Sequence, residues 1–119
     1  MKFDLSEIEK SKNDEKANIT IPNYMTTQLA EFIGIMIGDG HVGREGYHQS
    51  LRIAGNINDI SYYETYVQDL IKELFNIRFT LYTQKSKNVV IVQKHSKALF
   101  YFFHNIIGIP QRKDHVEVP

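Results

Sequence analysis

Residues 29–40, LAEFIGIMIGDG, decide the fold that the sequence predicts. Apolar side chains recur there at helical spacing, and this set comprises Leu29, Phe32, Ile33, Met36 and Ile37. The small residues Ala30, Gly34 and Gly38 recur every four positions, so on a helix they form a second ridge almost without side chains. Such a ridge lets the backbone of another helix come close. We therefore expect a helix that buries one face and offers this ridge, called here the small-residue ridge, to a partner helix.

Asp39 follows the small-residue ridge directly and ends the helix. The helix macrodipole places partial negative charge at this end, so a carboxylate here is disfavoured by about 0.3–1 kcal/mol. A divalent cation would offset that cost. A plain helix stop, with Asp39 and Gly40 in a tight turn, is an equal interpretation of the spacing.

Composition restricts the class of protein. The 119 residues predict one domain, and the sequence contains no cysteine, which excludes a disulfide framework and a zinc ribbon. The N-terminus is charged throughout, and the longest apolar run, residues 98–103, is too short to cross a bilayer. The five histidines show no zinc-ligand spacing. We therefore expect a soluble, cytoplasmic protein without a membrane partner.

The formal net charge of zero hides a separation of charge along the chain. Residues 41–56 and 76–97 contain a single acid, Glu45, and seven basic residues, namely Arg44, Arg52, Arg78, Lys85, Lys87, Lys94 and Lys97. Residues 57–75 contain the opposite balance, with Lys72 against Asp59, Glu64, Asp69 and Glu73. The separation indicates one basic surface and one acidic surface.

Periodicity predicts the element order. Residues 1–20 lack a pattern and are expected to form a mobile, charged N-terminal arm, or at most a short frayed helix, followed by one domain over residues 21–119. Helices are predicted to end near residue 38, to cover about 60–75 and to cover 97–107, with strands at 41–44, 47–54, 78–84 and 88–93. The order αββαββα predicts an α+β fold with a four-stranded antiparallel, saddle-shaped sheet and helices on one face.

The sheet face without helices is expected to bind double-stranded DNA, because polar and basic side chains occupy alternate strand positions. Tyr62, Tyr63 and Tyr66 are expected to pack between helices. The candidate DNA-binding residues are Arg44, His48, Ser50, Arg52, Arg78, Thr80, Tyr82, Gln84, Lys85, Lys87 and Lys94.

Residues 32–40, FIGIMIGDG, together with the element order and the turn Gly108-Ile109-Pro110, resemble the LAGLIDADG homing endonuclease family over residues 24–119. The resemblance implies a site-specific endonuclease, associated with an intron or an intein, that hydrolyses DNA phosphodiesters with Mg²⁺, or with Mn²⁺ as a substitute. It implies that Asp39 and Gly40 are catalytic and bind the metal. It also implies that two such helices, from a homodimer or from a second LAGLIDADG half, pack across Ala30, Gly34, Ile37 and Gly38.

Two features depart from that family. The family places a lysine or glutamine at the end of the second strand, where this chain has Gly55 and Asn56, so the auxiliary candidates are His41, Asn56, Gln93 and Lys94. The sequence also stops at Val118-Pro119, where a second half would begin, which predicts either a homodimer or a shortened remnant.

Two other functions stay open on the sequence alone. A catalytically inactive DNA- or RNA-binding protein of the same fold, such as a transcription regulator or an intron maturase, would bind with strong salt dependence and would not cleave. An α+β interaction domain without a nucleic-acid partner would show no such binding.

Overall fold

The computed structural model describes residues 1–45 and 48–111. The predicted turn residue Gly46, Tyr47, and the tail with His115 and Val118-Pro119 lie outside the described residues. The helices are α1 (Lys12–Lys16), α2 (Thr27–Asp39), α3 (Gln68–Phe75) and α4 (Lys97–Tyr101). The strands are β1 (Gly40–Glu45), β2 (His48–Asn56), β3 (Thr80–Gln84) and β4 (Val89–His95). From α2 onward the order is αββαββα, and the predicted fold class is confirmed.

The four strands form one antiparallel sheet in the order β1-β2-β4-β3. Val42 faces Leu51 across β1 and β2, and Ile53 faces Val92 across β2 and β4. These four side chains are fully buried, and they belong to the sheet face that packs against the core.

The core lies between that face and the helices. Thr26 begins α2 by accepting a hydrogen bond from the backbone N–H of Leu29 on its side chain, at 3.0 Å. The Phe32 ring then packs against Phe75 and Phe103, with ring centroids 5.4 and 5.6 Å apart. Such aromatic pairs add to the free energy gained from burial alone. Helix α2 therefore joins the sheet to α3 and to the last helical segment.

Two helical segments continue with wider, π-helical turns. Tyr62–Val67 precedes α3, and Phe102–Ile107 follows α4. A short 3₁₀ turn, Ile57–Asp59, leads from β2 into the first of them and is capped by the side chain of Asn56. The π-helical segment before α3 matters for the site because it carries Tyr63, whose hydroxyl reaches Asp39 at the end of α2.

The N-terminal arm differs from the sequence prediction, since the structure packs it onto the domain. The backbone N–H of Phe3 donates to the carbonyl of Asn23 at 2.7 Å, and the Phe3 ring contacts Phe102 at 5.5 Å. Asp14 is 1% exposed and accepts hydrogen bonds from the Ser96 hydroxyl at 2.8 Å and the Ala98 N–H at 3.0 Å. The buried carboxylate thus satisfies donors at the start of α4, which fixes the arm.

Within the described ranges, no helix combines the length and the apolar character that crossing a membrane requires.

Candidate metal centre and nucleic-acid interface

Helix α2 runs directly into strand β1, and this junction places Asp39. Gly40 donates its N–H to the carbonyl of Met36 and is already extended, with φ −104° and ψ 171°. A Cβ on Gly40 would lie 2.8 Å from both Cα and Sδ of Met36, and Met36 is itself buried. Glycine is therefore required for this close approach, and Asp39 is left exposed at the edge of the sheet.

Asp39 borders an open pocket of about 630 Å³, called here the Asp39 pocket. The end of α2, the first two strands and the β3–β4 hairpin all contribute to it. Its lining residues are Gly38, Asp39, Gly40, His41, Arg52, Ala54 and Lys87. A carboxylate thus shares one cavity with a guanidinium and an ammonium group. This set suits a phosphodiester, because Arg binds phosphate bidentately and Lys provides a compact positive charge.

Tyr63 contacts Asp39 from the helical side of the Asp39 pocket. Its hydroxyl donates to Oδ2 of Asp39 at 3.5 Å, and its side chain is 5% exposed. Burial, followed by the negative charge of Asp39, raises the pKa of the Tyr63 hydroxyl. The phenol therefore remains a neutral donor that orients the carboxylate. The sequence predicts Tyr63 as packing only, since helical spacing does not show which group the hydroxyl reaches.

Gly55 is needed because of Tyr63. A Cβ on Gly55 would overlap the hydroxyl oxygen and the ring of Tyr63. The position near which the resemblance expects a lysine or glutamine is therefore the space that this ring occupies. No side chain at residue 55 can serve as an auxiliary group while Tyr63 keeps its place.

The auxiliary candidates are distributed over different parts of the structure. His41 lines the Asp39 pocket. Asn56 uses its side-chain oxygen to accept from the N–H of Asn58 at 2.8 Å. Gln93 and Lys94 line a different groove, at the other end of the sheet. Of these four residues, the structure brings His41 alone together with Asp39 in that pocket.

The sheet face turned away from the core, called here the open face, carries a row of polar residues across all four strands. The register aligns His41 with Arg52, Arg52 with Gln93, and Gln93 with Thr80. Neighbouring rows on the same face hold further DNA-binding candidates, namely His48, Ser50, Tyr82 and Gln84.

Three DNA-binding candidates lie elsewhere than predicted. Arg44 faces Gln49, and Lys94 faces the buried Leu51, so both have core-face register positions at the strand ends. In the observed register each even-numbered residue of β1 faces an odd-numbered residue of β2, so Arg44 and Arg52 lie on opposite faces of the sheet. The prediction had placed the basic residues on one common face. Arg78 precedes β3, which begins at Thr80. Lys85 and Lys87 lie in the hairpin turn, as predicted.

The small-residue ridge is exposed. An added Cβ at Gly34 or Gly38 meets no atom within 4 Å among the described residues, and Ile37 is 69% exposed. Tyr62 and Tyr66 stack beside the ridge, and the Tyr66 hydroxyl donates to the carboxylate of Glu31. This face of α2 is open to a second helix.

A single chain provides few ligands for a metal ion. Across residues 1–45 and 48–111, no group of three or more His, Cys, Asp or Glu side chains could hold an ion together. The ligands that the sequence predicts from one chain are the Asp39 carboxylate and the Gly40 carbonyl.

No protein-family model matches the chain. Over 95 residues the chain is 33% identical to a subunit of the A-type ATP synthase of Pyrococcus abyssi (strain GE5 / Orsay). The alignment covers 80% of this chain and 8% of that protein, so the chain spans less than a tenth of the relative's length.

These comparisons correct the identification suggested by residues 32–40. The relative carries the name of an ATP synthase component, not of a homing endonuclease, and no family model was found, so the identification with the LAGLIDADG family is wrong. Packing explains part of the short motif, because the position of Met36 requires glycine at residue 40.

Substituting Gly55 tests the link to Tyr63. We expect Gly55→Ala to lower the free energy of unfolding by about 1–3 kcal/mol, because the new methyl group overlaps a buried ring. Gln28→Ala, at an exposed position on another face of α2, is the control; it should be neutral or stabilising by less than about 1 kcal/mol, since Ala is the better helix former. Urea denaturation followed by circular dichroism measures both. Equal stability of the two variants would contradict the assigned place of Tyr63.

Proposed function

We propose that the chain is a Mg²⁺-dependent endonuclease that hydrolyses phosphodiester bonds of double-stranded DNA and acts as a pair of identical chains. The observation that carries the proposal is the convergence of Asp39, Arg52 and Lys87 on one open pocket. The pocket lies at the edge of a polar sheet face, where a duplex would bring its phosphates.

The residues present fit magnesium. Mg²⁺ is commonly held by one or two carboxylates and keeps its other positions for water and substrate phosphates. Asp39 and the carbonyl of Gly40 would hold it, and the cation would offset the cost of a carboxylate at the end of α2. When bound, the ion activates water and stabilises charge on the phosphate. Mn²⁺ has the same ligand preference and is the expected substitute.

The side chains around Asp39 have complementary tasks. Tyr63 donates to Oδ2 of the Asp39 carboxylate, and a cation would bind the carboxylate through its other oxygen. Arg52 and Lys87 would bind phosphate oxygens next to the scissile bond. These groups are held by a strand and a hairpin, and rigid elements of this kind position reacting groups well.

Charge separation supports DNA as the partner. The acidic residues of segment 57–75 are exposed on helical elements, namely Asp59, Glu64, Asp69 and Glu73. Lys97 is paired with Glu9 of the arm at 2.7 Å, which removes that lysine from the basic set. The basic residues of the Asp39 pocket and the hairpin thus lie where a duplex would place its phosphates. Phosphate contacts give most of the affinity of a protein for DNA.

Two chains would supply two aspartates. The small-residue ridge has room for the backbone of another helix, and Ile37 would be buried by it. Because Asp39 follows the ridge directly, packing the two ridges together would bring both carboxylates to one interface.

The substitution Asp39→Asn tests the metal role. It removes the negative charge while keeping the shape, so Mg²⁺-dependent nicking of a plasmid should fall by at least about 100-fold. DNA affinity measured with Ca²⁺ in place of Mg²⁺ should change by less than about threefold, since phosphate contacts dominate it. Asp69→Asn, on the exposed side of α3, is the control and should cleave like the wild type. Cleavage retained by Asp39→Asn would refute the assignment.

The substitution Gly34→Leu tests the pairing of chains. The new side chain meets open space within one chain, so the fold should persist with an unchanged circular dichroism spectrum. It fills the gap between two ridges, so sedimentation velocity should show monomer in place of dimer, and cleavage should be lost with it. Gln28→Leu adds the same side chain on another face of α2 and should remain dimeric. A dimeric, active Gly34→Leu protein would contradict the packing.

A second candidate function is DNA or RNA binding without cleavage. The small number of metal-ligating side chains that one chain brings together within the described ranges favours it. In that case the wild type and Asp39→Asn would bind nucleic acid with the same salt dependence, and neither would nick it.

A further inference from the structure

We propose that helix α1 forms a second contact with the phosphate backbone of the same duplex. The site is the groove between α1 and strands β3 and β4, called here the arm groove. It would hold one DNA strand while the Asp39 pocket engages the other. This inference rests on the proposed function and extends it to the N-terminal arm.

The arm groove is polar and basic. It measures about 600 Å³ and is lined by Asn13, Lys16, Ala17, Thr80, Tyr82, Gln93, Lys94 and His95. The Tyr82 hydroxyl and the Gln93 side-chain oxygen are hydrogen-bonded at 3.1 Å. Lys16 of α1 and Lys94, which has a core-face register position at the end of β4, both line the arm groove, and none of its lining residues is a carboxylate. Such a set favours a polyanion over a cation or an apolar ligand.

The arm is held firmly enough to serve as part of a binding surface. Asp14 lies inside α1 and bonds to Ser96 and to the N–H of Ala98, which anchors the helix at the end of β4. The Ser11 side chain caps α1 in return. Because the backbone beside Lys16 is ordered before binding, less conformational entropy is lost when a phosphate is bound.

The polar row of the open face joins the two sites. His41 and Arg52 line the Asp39 pocket at one end of the row, and Gln93 and Thr80 line the arm groove at the other. Arg52 and Gln93 face each other on neighbouring strands, so the row runs from the Asp39 pocket to the arm groove without a break. A duplex lying along the open face would therefore meet both sites.

The continuity of the arm groove with the open face favours a duplex over an acidic peptide or a free phosphate as the occupant. A free phosphate would use one of the two basic sites and leave the other unused. An acidic peptide would make no use of the polar row between them. A duplex presents two rows of phosphates at constant separation, with base edges between them that the polar row can face.

The test compares the two outer lysines of α1. Lys16 lines the arm groove, whereas Lys12 is exposed on the same helix and does not. The affinity of a 25-base-pair duplex, about the size of an ordinary specific site, is measured by fluorescence anisotropy at several salt concentrations with Ca²⁺ present. Lys16→Ala should reduce the slope of log affinity against log salt by about one, and Lys12→Ala should leave it unchanged. The loss caused by Lys16→Ala should shrink about three- to fourfold between 50 and 200 mM salt.

The variant Arg52→Ala distinguishes a failure of the arm contact from a failure of the proposed function. If Lys16→Ala binds like Lys12→Ala while Arg52→Ala has a reduced slope, the arm contact is overturned and the proposed function stands. If the wild type itself binds duplex DNA without salt dependence, the proposed function fails and the arm contact fails with it. Lys16→Ala should unfold at the same midpoint temperature as the wild type. This control shows that the affinities of folded proteins are compared.

Discussion

The close contact between Gly40 and Met36 fixes the geometry on which the candidate site depends. Helix α2 is turned into strand β1 without a loop, because only glycine can pass this near to Met36: a Cβ on Gly40 would lie 2.8 Å from it. Met36 is held in turn by the core. The backbone of Asp39 is therefore fixed between helix and sheet.

The polar and charged groups around Asp39 come from different elements of the fold. The helical side supplies Tyr63, a buried phenol whose raised pKa keeps it a neutral donor. The strand side supplies Arg52, and the hairpin supplies Lys87. A negative group lies between a neutral donor and two cations, which is an arrangement suited to a metal ion and a phosphate together. The same strands continue the polar surface to the arm groove.

Local patterns predicted the fold well and the site only in part. The spacing of apolar residues gave helix α2 and the strands, because burial sets their period. The docking of the N-terminal arm on the domain was not predicted, although Ser11 and Asp14 have the spacing of a capping box. Tyr63 was missed because its partner is 24 residues away in sequence. Arg44 was given the wrong face because the register depends on the turn between strands. The family resemblance was wrong because a short helix motif also serves local packing, as Gly40 does against Met36.

The whole functional proposal depends on a divalent cation binding in the Asp39 pocket. Titration of the ¹⁵N-labelled chain with Mn²⁺, followed by paramagnetic broadening of amide signals, tests this binding most directly. A cation held by Asp39 should broaden the signals of Gly38, Gly40 and His41 first in the wild type and not in Asp39→Asn. Broadening that begins in the acidic segment 57–75, or that is unchanged by Asp39→Asn, would contradict it.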